Sequence, residues 1–224
     1  MNIIYRNLFA DTHETLEPMS AFKMQKLMGL MKNIADMPAG EVELNNSMLN
    51  TRFKRMQQRA ATQHTTSRET IYLVRIIISN LNATLTHGIP VRGIIQLGQY
   101  LRSRREQIDA NEAAQWLRRL HISRMAQLQG SVLIKFFGFT AEEIPFVKQV
   151  ESAAESLTLR SINRMELAAQ AWLFKQGKSV FVHNNQKALR RNLSHCMRYF
   201  PYAPIETTSS FFVNFSKGLA EIEE

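Results

Sequence analysis

Six side chains in the middle of the chain are of the types that contact bases and phosphates in protein–DNA complexes. They are Arg92, Gln96, Gln99, Arg102, Arg104 and Arg105. In the major groove, arginine donates two hydrogen bonds to guanine, and glutamine pairs in a similar way with adenine. In a helix the first three would share one face, because they are four and three positions apart. We therefore predict base contacts for these three and phosphate contacts for the three later arginines.

A helix-turn-helix is the element that would place these side chains in a major groove. Gly88 stands where the turn of such a motif needs a positive φ, which glycine adopts at little cost. Pro90 follows at the first turn of the second helix, where its missing N–H group is harmless. The positions around the turn that must be small or apolar are filled by Thr84 or Ala83, Ile89, Ile94 and Leu97. Helical hairpins that never contact DNA can have the same pattern, so the charge of the segment matters.

The positive charge of the chain is concentrated around this hairpin. The 224 residues have a net charge of +9, and residues 51–130 contain 13 Lys and Arg against 4 Asp and Glu. All but one of those cations are arginine, whose planar guanidinium donates paired hydrogen bonds to phosphate. Nucleic acid, with double-stranded DNA favoured, is the predicted partner. An anionic membrane, an acidic protein or a basic face that only confers solubility would fit the same charge.

We find no spacing of residues that is typical of an enzyme active site or a metal site. The segment Gly177–Ser179 ends like a phosphate-binding loop, but Trp172 occupies the position where that motif requires glycine. The adjacent acids Glu142 and Glu143 would point about 100° apart on a helix, which suits the start of a helix better than acid–base catalysis. Cys196 alone cannot form a disulfide or a zinc site within the chain, and the six histidines are scattered. We predict no enzymatic activity, no cofactor and no metal.

The apolar periodicity predicts a mainly all-α fold with several start signals for helices. Helices are expected over 19–37, 47–61, 68–85, 90–105, 111–137, 141–156, 158–176 and 186–199. Ser67 or Thr66 and Asp109 are candidate N-caps, and Thr140 with Glu143 forms a capping box. The β-branched residues of 68–85 would also allow a strand, but its length favours a helix. A short β ribbon is possible near 179–183, and residues 200–210 are predicted to be a loop.

Changes in apolar periodicity and in charge divide the chain into three predicted segments. Residues 1–62 form an N-terminal helical segment whose methionines suit packing against another helix or subunit. Residues 63–130 form the basic helix-turn-helix region, and residues 131–224 form a C-terminal helical region. The first residues turn acidic too early for a secretory signal, and no apolar run is long enough to span a membrane. With its one cysteine, the chain is predicted to be a cytoplasmic protein and a homo- or hetero-oligomer.

Parts of the chain resemble the two subunits of the bacterial flagellar master transcriptional activator. Residues 71–101 resemble the helix-turn-helix region of the FlhC-type subunit, with the sequence IYLVRIIISNLNATLTHGIPVRGIIQLGQYL. In that region an apolar helix leads into a short turn and a second helix that ends in a basic segment. Two further segments resemble the FlhD-type subunit: FFGFTAEEI at 136–144 and LTLRSINRMELAAQAWLFK at 157–175. Less than half of the chain is covered, and the four-cysteine zinc site of FlhC-type subunits has no counterpart. The resemblance implies a helical, oligomeric, DNA-binding activator without zinc.

The leading hypothesis is a sequence-specific DNA-binding transcriptional regulator that uses the central helix-turn-helix. One alternative is a sequence-indifferent nucleic-acid-packaging protein, of the viral nucleoprotein or matrix type. Another is a helical assembly subunit that does not contact nucleic acid. A second basic helix could also contact nucleic acid through Lys187, Arg190, Arg191, Arg198, Tyr199 and Phe200. We favour an ordinary amphipathic helix there, with Leu189, Leu193 and Met197 buried and the cations in solvent.

Overall fold

In the computed structural model, the described residues are 41–63, 66–163 and 193–220, and all regular secondary structure within them is helical. This confirms the predicted all-α fold class. The helices are α1 (Ser47–Gln63), α2 (Arg68–His87), α3 (Val91–Arg104), α4 (Ala110–Arg119), α5 (Ser123–Phe137), α6 (described from 154 to 163), α7 (described from 193 to 199) and α8 (Pro204–Ala220). Single 3-10 turns lie at Arg105–Gln107 and Ala141–Glu143. In the described part of the chain, no helix has the length and hydropathy needed to cross a bilayer.

The predictions for 47–61, 68–85 and 90–105 match α1, α2 and α3 to within two residues at each end. Ser67 caps α2 by accepting a hydrogen bond from the Thr70 N–H group, as predicted. Four predicted features lie wholly or mainly outside the described residues. They are the helix at 19–37, the ribbon near 179–183, the helical residues after 163 and the basic side chains at 187, 190 and 191.

Helix α2 lies at the centre of the core and packs against α3, α4 and α5. Its sequence places apolar residues at consecutive positions, so almost every face of the helix must be covered. The residues at 73, 74, 76, 77, 78 and 81 are at most 1% exposed. Packing around them outweighs the weak helix propensity of the β-branched residues, which is why this segment is a helix and not a strand.

The prediction of one helix over 111–137 is wrong, because α4 and α5 are separate helices. His121 lies between them with a φ of 56°, and a residue in this left-handed region cannot continue a right-handed helix. Its neighbours Leu120 and Ile122 are both fully buried. The Ile122 N–H group donates to the Leu117 carbonyl over 3.0 Å, which closes the end of α4. Burying both neighbours of His121 therefore favours the turn over a continuous helix.

The predicted helix over 141–156 is also wrong. The capping box of Thr140 and Glu143 is present, but it starts only one 3-10 turn. Pro145 follows, and a proline restricts the preceding residue to extended conformations. Ile144 accordingly has φ −121° and ψ 92°, and the next helix begins at residue 154.

The end of the chain differs from the prediction in two ways. Residues 200–210 are not a loop throughout, because Pro204 begins helix α8, where proline is favoured at the first turn. Helix α7 was expected to bury Leu193 and Met197, but they are 49% and 66% exposed. The helix instead buries His195 and Tyr199, which are one turn apart. Tyr199 is therefore not available to stack on a base.

A buried carboxylate ties the start of α8 to the start of α1. Glu206 is 1% exposed and accepts hydrogen bonds from the N–H groups of Asn45 and Asn46 over 2.8 and 3.2 Å. Burial raises the pKa of Glu206 above its ordinary value, although these hydrogen bonds oppose the shift. The charged form of this carboxylate is thus less favourable in the folded protein than in the unfolded chain.

The first prediction concerns this carboxylate. A carboxyl with a raised pKa in the folded state adds stability below its unfolded pKa, and that stability is lost as pH rises through the folded pKa. Glutamine in Glu206→Gln cannot titrate. The free energy of unfolding of the wild type should therefore fall relative to that of the variant as the pH is raised from about 4.5, the ordinary pKa of the carboxyl. Urea titrations above this pH measure the difference, with Glu155→Gln at an exposed position of α6 as the charge control. A difference that rose with pH would contradict the assignment.

The second prediction concerns the crossing of α2 and α3. The buried Asn80 donates from Nδ2 to the Gly93 carbonyl over 2.9 Å and to Gln129 Oε1 over 3.2 Å. A Cβ at position 93 would overlap Asn80 Oδ1. Gly93→Ala should lower the free energy of unfolding by about 1–3 kcal/mol, because either the Asn80 side chain must leave its buried hydrogen bonds or α3 must move away from α2. Ser103→Ala on the exposed side of α3 should change it by less than about 0.5 kcal/mol. Equal stabilities in chemical denaturation would refute the close approach.

Candidate nucleic-acid interface

The chain turns at Gly88, as the sequence predicted. Gly88 has a φ of 102°, which strongly favours glycine, and its N–H group donates to the Thr84 carbonyl over 3.0 Å. Helix α2 ends at His87, and α3 begins at Val91, one residue after the predicted start at Pro90. The two helices are therefore separate elements joined by a short turn.

The positions that were expected to hold the hairpin together are buried. Thr84, Ile89, Ile94 and Leu97 are at most 3% exposed. The Thr84 hydroxyl donates to the Asn80 carbonyl one turn earlier in α2, so its polar atom is satisfied inside the core. This apolar contact fixes which side of α3 faces inward, and hence which side faces outward.

Two later helices hold the turn in place, and neither contact was foreseen from the sequence. The Ile89 N–H group donates to Ser161 Oγ of α6 over 2.9 Å, and that hydroxyl donates in turn to the Leu157 carbonyl. From α7, the Nε2 atom of buried His195 lies 2.9 Å from the Thr84 carbonyl oxygen. Because a carbonyl only accepts hydrogen bonds, this nitrogen must carry the proton. The turn therefore depends on residues more than 70 positions away in sequence.

Three of the six predicted contact residues lie together on the outer side of α3. Gln99 is exposed, and Arg92 and Gln96 are half-buried. With exposed Ser103, they follow the four-and-three spacing of one helical stripe. The structure thus brings together the residues to which the sequence assigned base contacts.

The three arginines at the end of α3 have different surroundings. Arg102 forms an ion pair with Glu143, with 3.1 Å between Nε and Oε1, and its guanidinium lies 4.0 Å above the centre of the Phe139 ring. Arg104 is exposed and donates to Gln107 Oε1 over 3.3 Å. Arg105 is exposed and donates to the Glu142 carbonyl over 3.2 Å. Arg102 is therefore part of the fold, whereas Arg104 and Arg105 retain exposed guanidinium groups.

Glu143 connects α3 to the capping box that follows α5. Burial by itself would raise the pKa of Glu143, but hydrogen bonds from the Thr140 N–H group and from Arg102 lower it below its ordinary value. The backbone hydrogen bond from Thr140 is 2.8 Å long. The charged carboxylate is thus stabilised, in agreement with its predicted place at the start of a helical turn.

The third prediction tests whether Arg102 belongs to the fold. The side chains of Arg102 and Glu143 are 29% and 23% exposed, so solvent screens the pair only in part. Arg102→Ala should lower the free energy of unfolding by about 1–2 kcal/mol, since it removes the ion pair and the ring contact. Arg104→Ala should change it by less than about 0.5 kcal/mol. A double-mutant cycle with Glu143→Gln measures the coupling, and additive effects of the two changes would show that the pair contributes nothing.

We compared the chain with protein-family models, curated proteins and solved structures, and none of these gave a match. The resemblance of 71–101 to the FlhC-type helix-turn-helix region therefore stays a prediction. Any functional conclusion must come from the side chains that the fold presents on its surface.

Proposed function

We propose that the protein is a sequence-specific DNA-binding transcriptional regulator that contacts the major groove with α3. The observation that carries this proposal is the outer stripe of α3, where Arg92, Gln96 and Gln99 project from a helix that follows a glycine turn. These side chains have the paired donors and acceptors that distinguish base pairs in the major groove. The positive charge of 51–130 supports the same partner.

The geometry assigns different roles to the six residues named from the sequence. We assign the main base contacts to Gln96 and Gln99, because they lie in the middle of α3, whereas the turn before α3 packs against Ser161 of α6. Arg92 lies one turn before Gln96 and extends the same stripe. Arg104 and Arg105 would hold phosphates and fix the register on the duplex. We leave Arg102 out, because its guanidinium pairs with Glu143 and stacks on an aromatic ring.

The proposal includes a cytoplasmic protein that binds DNA as a homo- or hetero-oligomer and has no enzymatic activity. A symmetric dimer would contact two half-sites about 34 Å apart, one helical turn of DNA. The resemblance to the flagellar master activator implies activation of transcription. The N-terminal segment 1–62 is the proposed site of oligomerisation, on the basis of its methionine-rich sequence.

A second candidate function is sequence-indifferent nucleic-acid packaging. It is favoured by the exposed arginines outside the α3 stripe, which suit phosphates better than base edges. They include Arg55, Arg59, Arg104, Arg105, Arg118 and Arg119. Such a protein would bind in proportion to nucleic-acid length, with a strong salt dependence and little preference among sequences.

The fourth prediction separates the two functions. Labelled random duplex, genomic fragments and single-stranded RNA are titrated at several salt concentrations with the wild type, Arg92→Ala and Gln96→Ala. Loss of a paired base contact costs about 1–3 kcal/mol of discrimination, so these variants should lose about fivefold to 150-fold of the preference for selected fragments. Arg104→Ala and Arg105→Ala should weaken every duplex about equally, because phosphate contacts carry no sequence information.

Gln115→Ala, on the exposed face of α4, is the matched control for Gln96→Ala. It should retain the sequence preference of the wild type. Uniform binding of all fragments by the wild type would favour packaging over regulation. Indifference of binding to all four substitutions would remove α3 and the 3-10 turn after it from the interface.

A further inference from the structure

A second basic surface lies between α1 and α4, away from the α3 stripe. It is a groove of about 570 Å³, which we call the arginine groove. Its lining consists of Met48, Thr51, Arg52, Arg55, Met56, Arg59 and Arg119. Four of these seven residues carry a guanidinium, and no described residue of the lining carries a carboxylate. Such a concentration of one charge in a concave site favours the binding of anions.

The groove follows from how α1 packs on α4. Phe53 of α1 is buried and meets Trp116 of α4 edge to face, with ring centres 6.3 Å apart. Arg52, Arg55 and Arg59 are three and four positions apart, so they share a stripe beside that buried face. Arg52 donates from Nη1 to the Arg119 carbonyl over 2.7 Å and links the stripe to the end of α4. The fold thus holds cations from two helices at one place.

The acids nearest to this stripe in sequence are engaged on another side of α1. Lys54 lies between Arg52 and Arg55 in sequence but projects away from the groove, and it forms ion pairs with Glu43 and Glu41. Arg55 and Arg59 are exposed, and within the described residues neither guanidinium has a hydrogen-bond or ion-pair partner. Within the described part of the chain, their paired donors are therefore open to a ligand.

We propose that the arginine groove binds a ligand with several phosphate groups in a row. A single carboxylate would neutralise one cation and leave the others repelling one another, whereas a run of phosphates matches several guanidinium groups at once. Arg52 and Arg59 are seven positions apart, which corresponds to roughly 10 Å along α1 and is long enough for more than one phosphate. The side chains of Met48 and Met56 provide an apolar wall beside the cations.

The phosphates could belong to a nucleic-acid strand or to a free polyphosphate, and the chemistry of recognition is the same. The groove contains no residue of α3. Its function can therefore be tested separately from base contacts by Gln96 and Gln99, and failure of either proposal leaves the other standing.

The fifth prediction compares two double variants that lose the same charge. Arg55→Gln/Arg59→Gln removes two cations of the groove, and Lys54→Gln/Lys135→Gln removes two exposed cations elsewhere. Binding of inorganic triphosphate and of a short oligodeoxythymidine strand is measured at several salt concentrations, with citrate at equal ionic strength as the carboxylate control. The groove variant should lose at least about tenfold in affinity for phosphates, and the control variant should lose less than about twofold.

Comparing the oligonucleotide with triphosphate shows whether the groove binds a nucleic-acid strand or a free polyphosphate. Tighter binding of the oligonucleotide, with a salt dependence that weakens in the groove variant, would assign the groove to a nucleic-acid strand. Tighter binding of triphosphate would assign it to a small polyphosphate ligand. Three results would overturn the proposal: no phosphate binding by the wild type, equal losses in both double variants, or binding of citrate as tight as that of triphosphate. Circular dichroism confirms that all variants are folded.

Discussion

The burial of α2 on nearly all sides is the constraint on which the rest of the structure depends. Each fully buried aliphatic side chain of this helix contributes about 1.5–3 kcal/mol, provided that neighbouring helices exclude water from it. Helices α3, α4 and α5 pack around α2, and Gly93 lets α3 approach the buried Asn80 closely. The inner faces of these helices are thereby committed to the core. Ligand contacts must use the outer faces, where both proposed interfaces lie.

The features that the sequence predicted correctly are set by local physics. Ser67 and Asp109 cap α2 and α4 because their side chains accept hydrogen bonds from N–H groups three residues later, which a sequence alone can indicate. Gly88 turns the chain because a positive φ favours glycine in any context. The outer stripe of α3 followed from helical periodicity once the buried positions Ile94 and Leu97 were known. Each of these depends on residues within a few positions of one another.

The features that the sequence did not predict depend on distant partners or on competing local signals. The contact of Ser161 with Ile89 and that of His195 with Thr84 join segments that no local pattern relates. The left-handed conformation of His121 arises because Leu120 and Ile122 are both buried in the core. Pro145 was a visible signal against a long helix after Thr140. The capping box of Thr140 and Glu143 does not set the length of the helix, because a cap starts a helix and cannot extend one past a proline.

The arginines of residues 51–130 show why net charge alone cannot locate an interface. Arg102 and Arg124 each pair with a glutamate and lie over an aromatic ring, so their charges are already compensated within the fold. In the arginine groove, no described carboxylate pairs with Arg55 or Arg59. The like charges of the groove repel one another at the exposed surface. Repulsion of this kind reduces the stability of the free protein, and a bound polyanion would relieve it. Arginines that pair with a carboxylate therefore stabilise the fold. Arginines that have no described carboxylate partner and lie on two packed helices are where an anionic partner gains the most binding free energy.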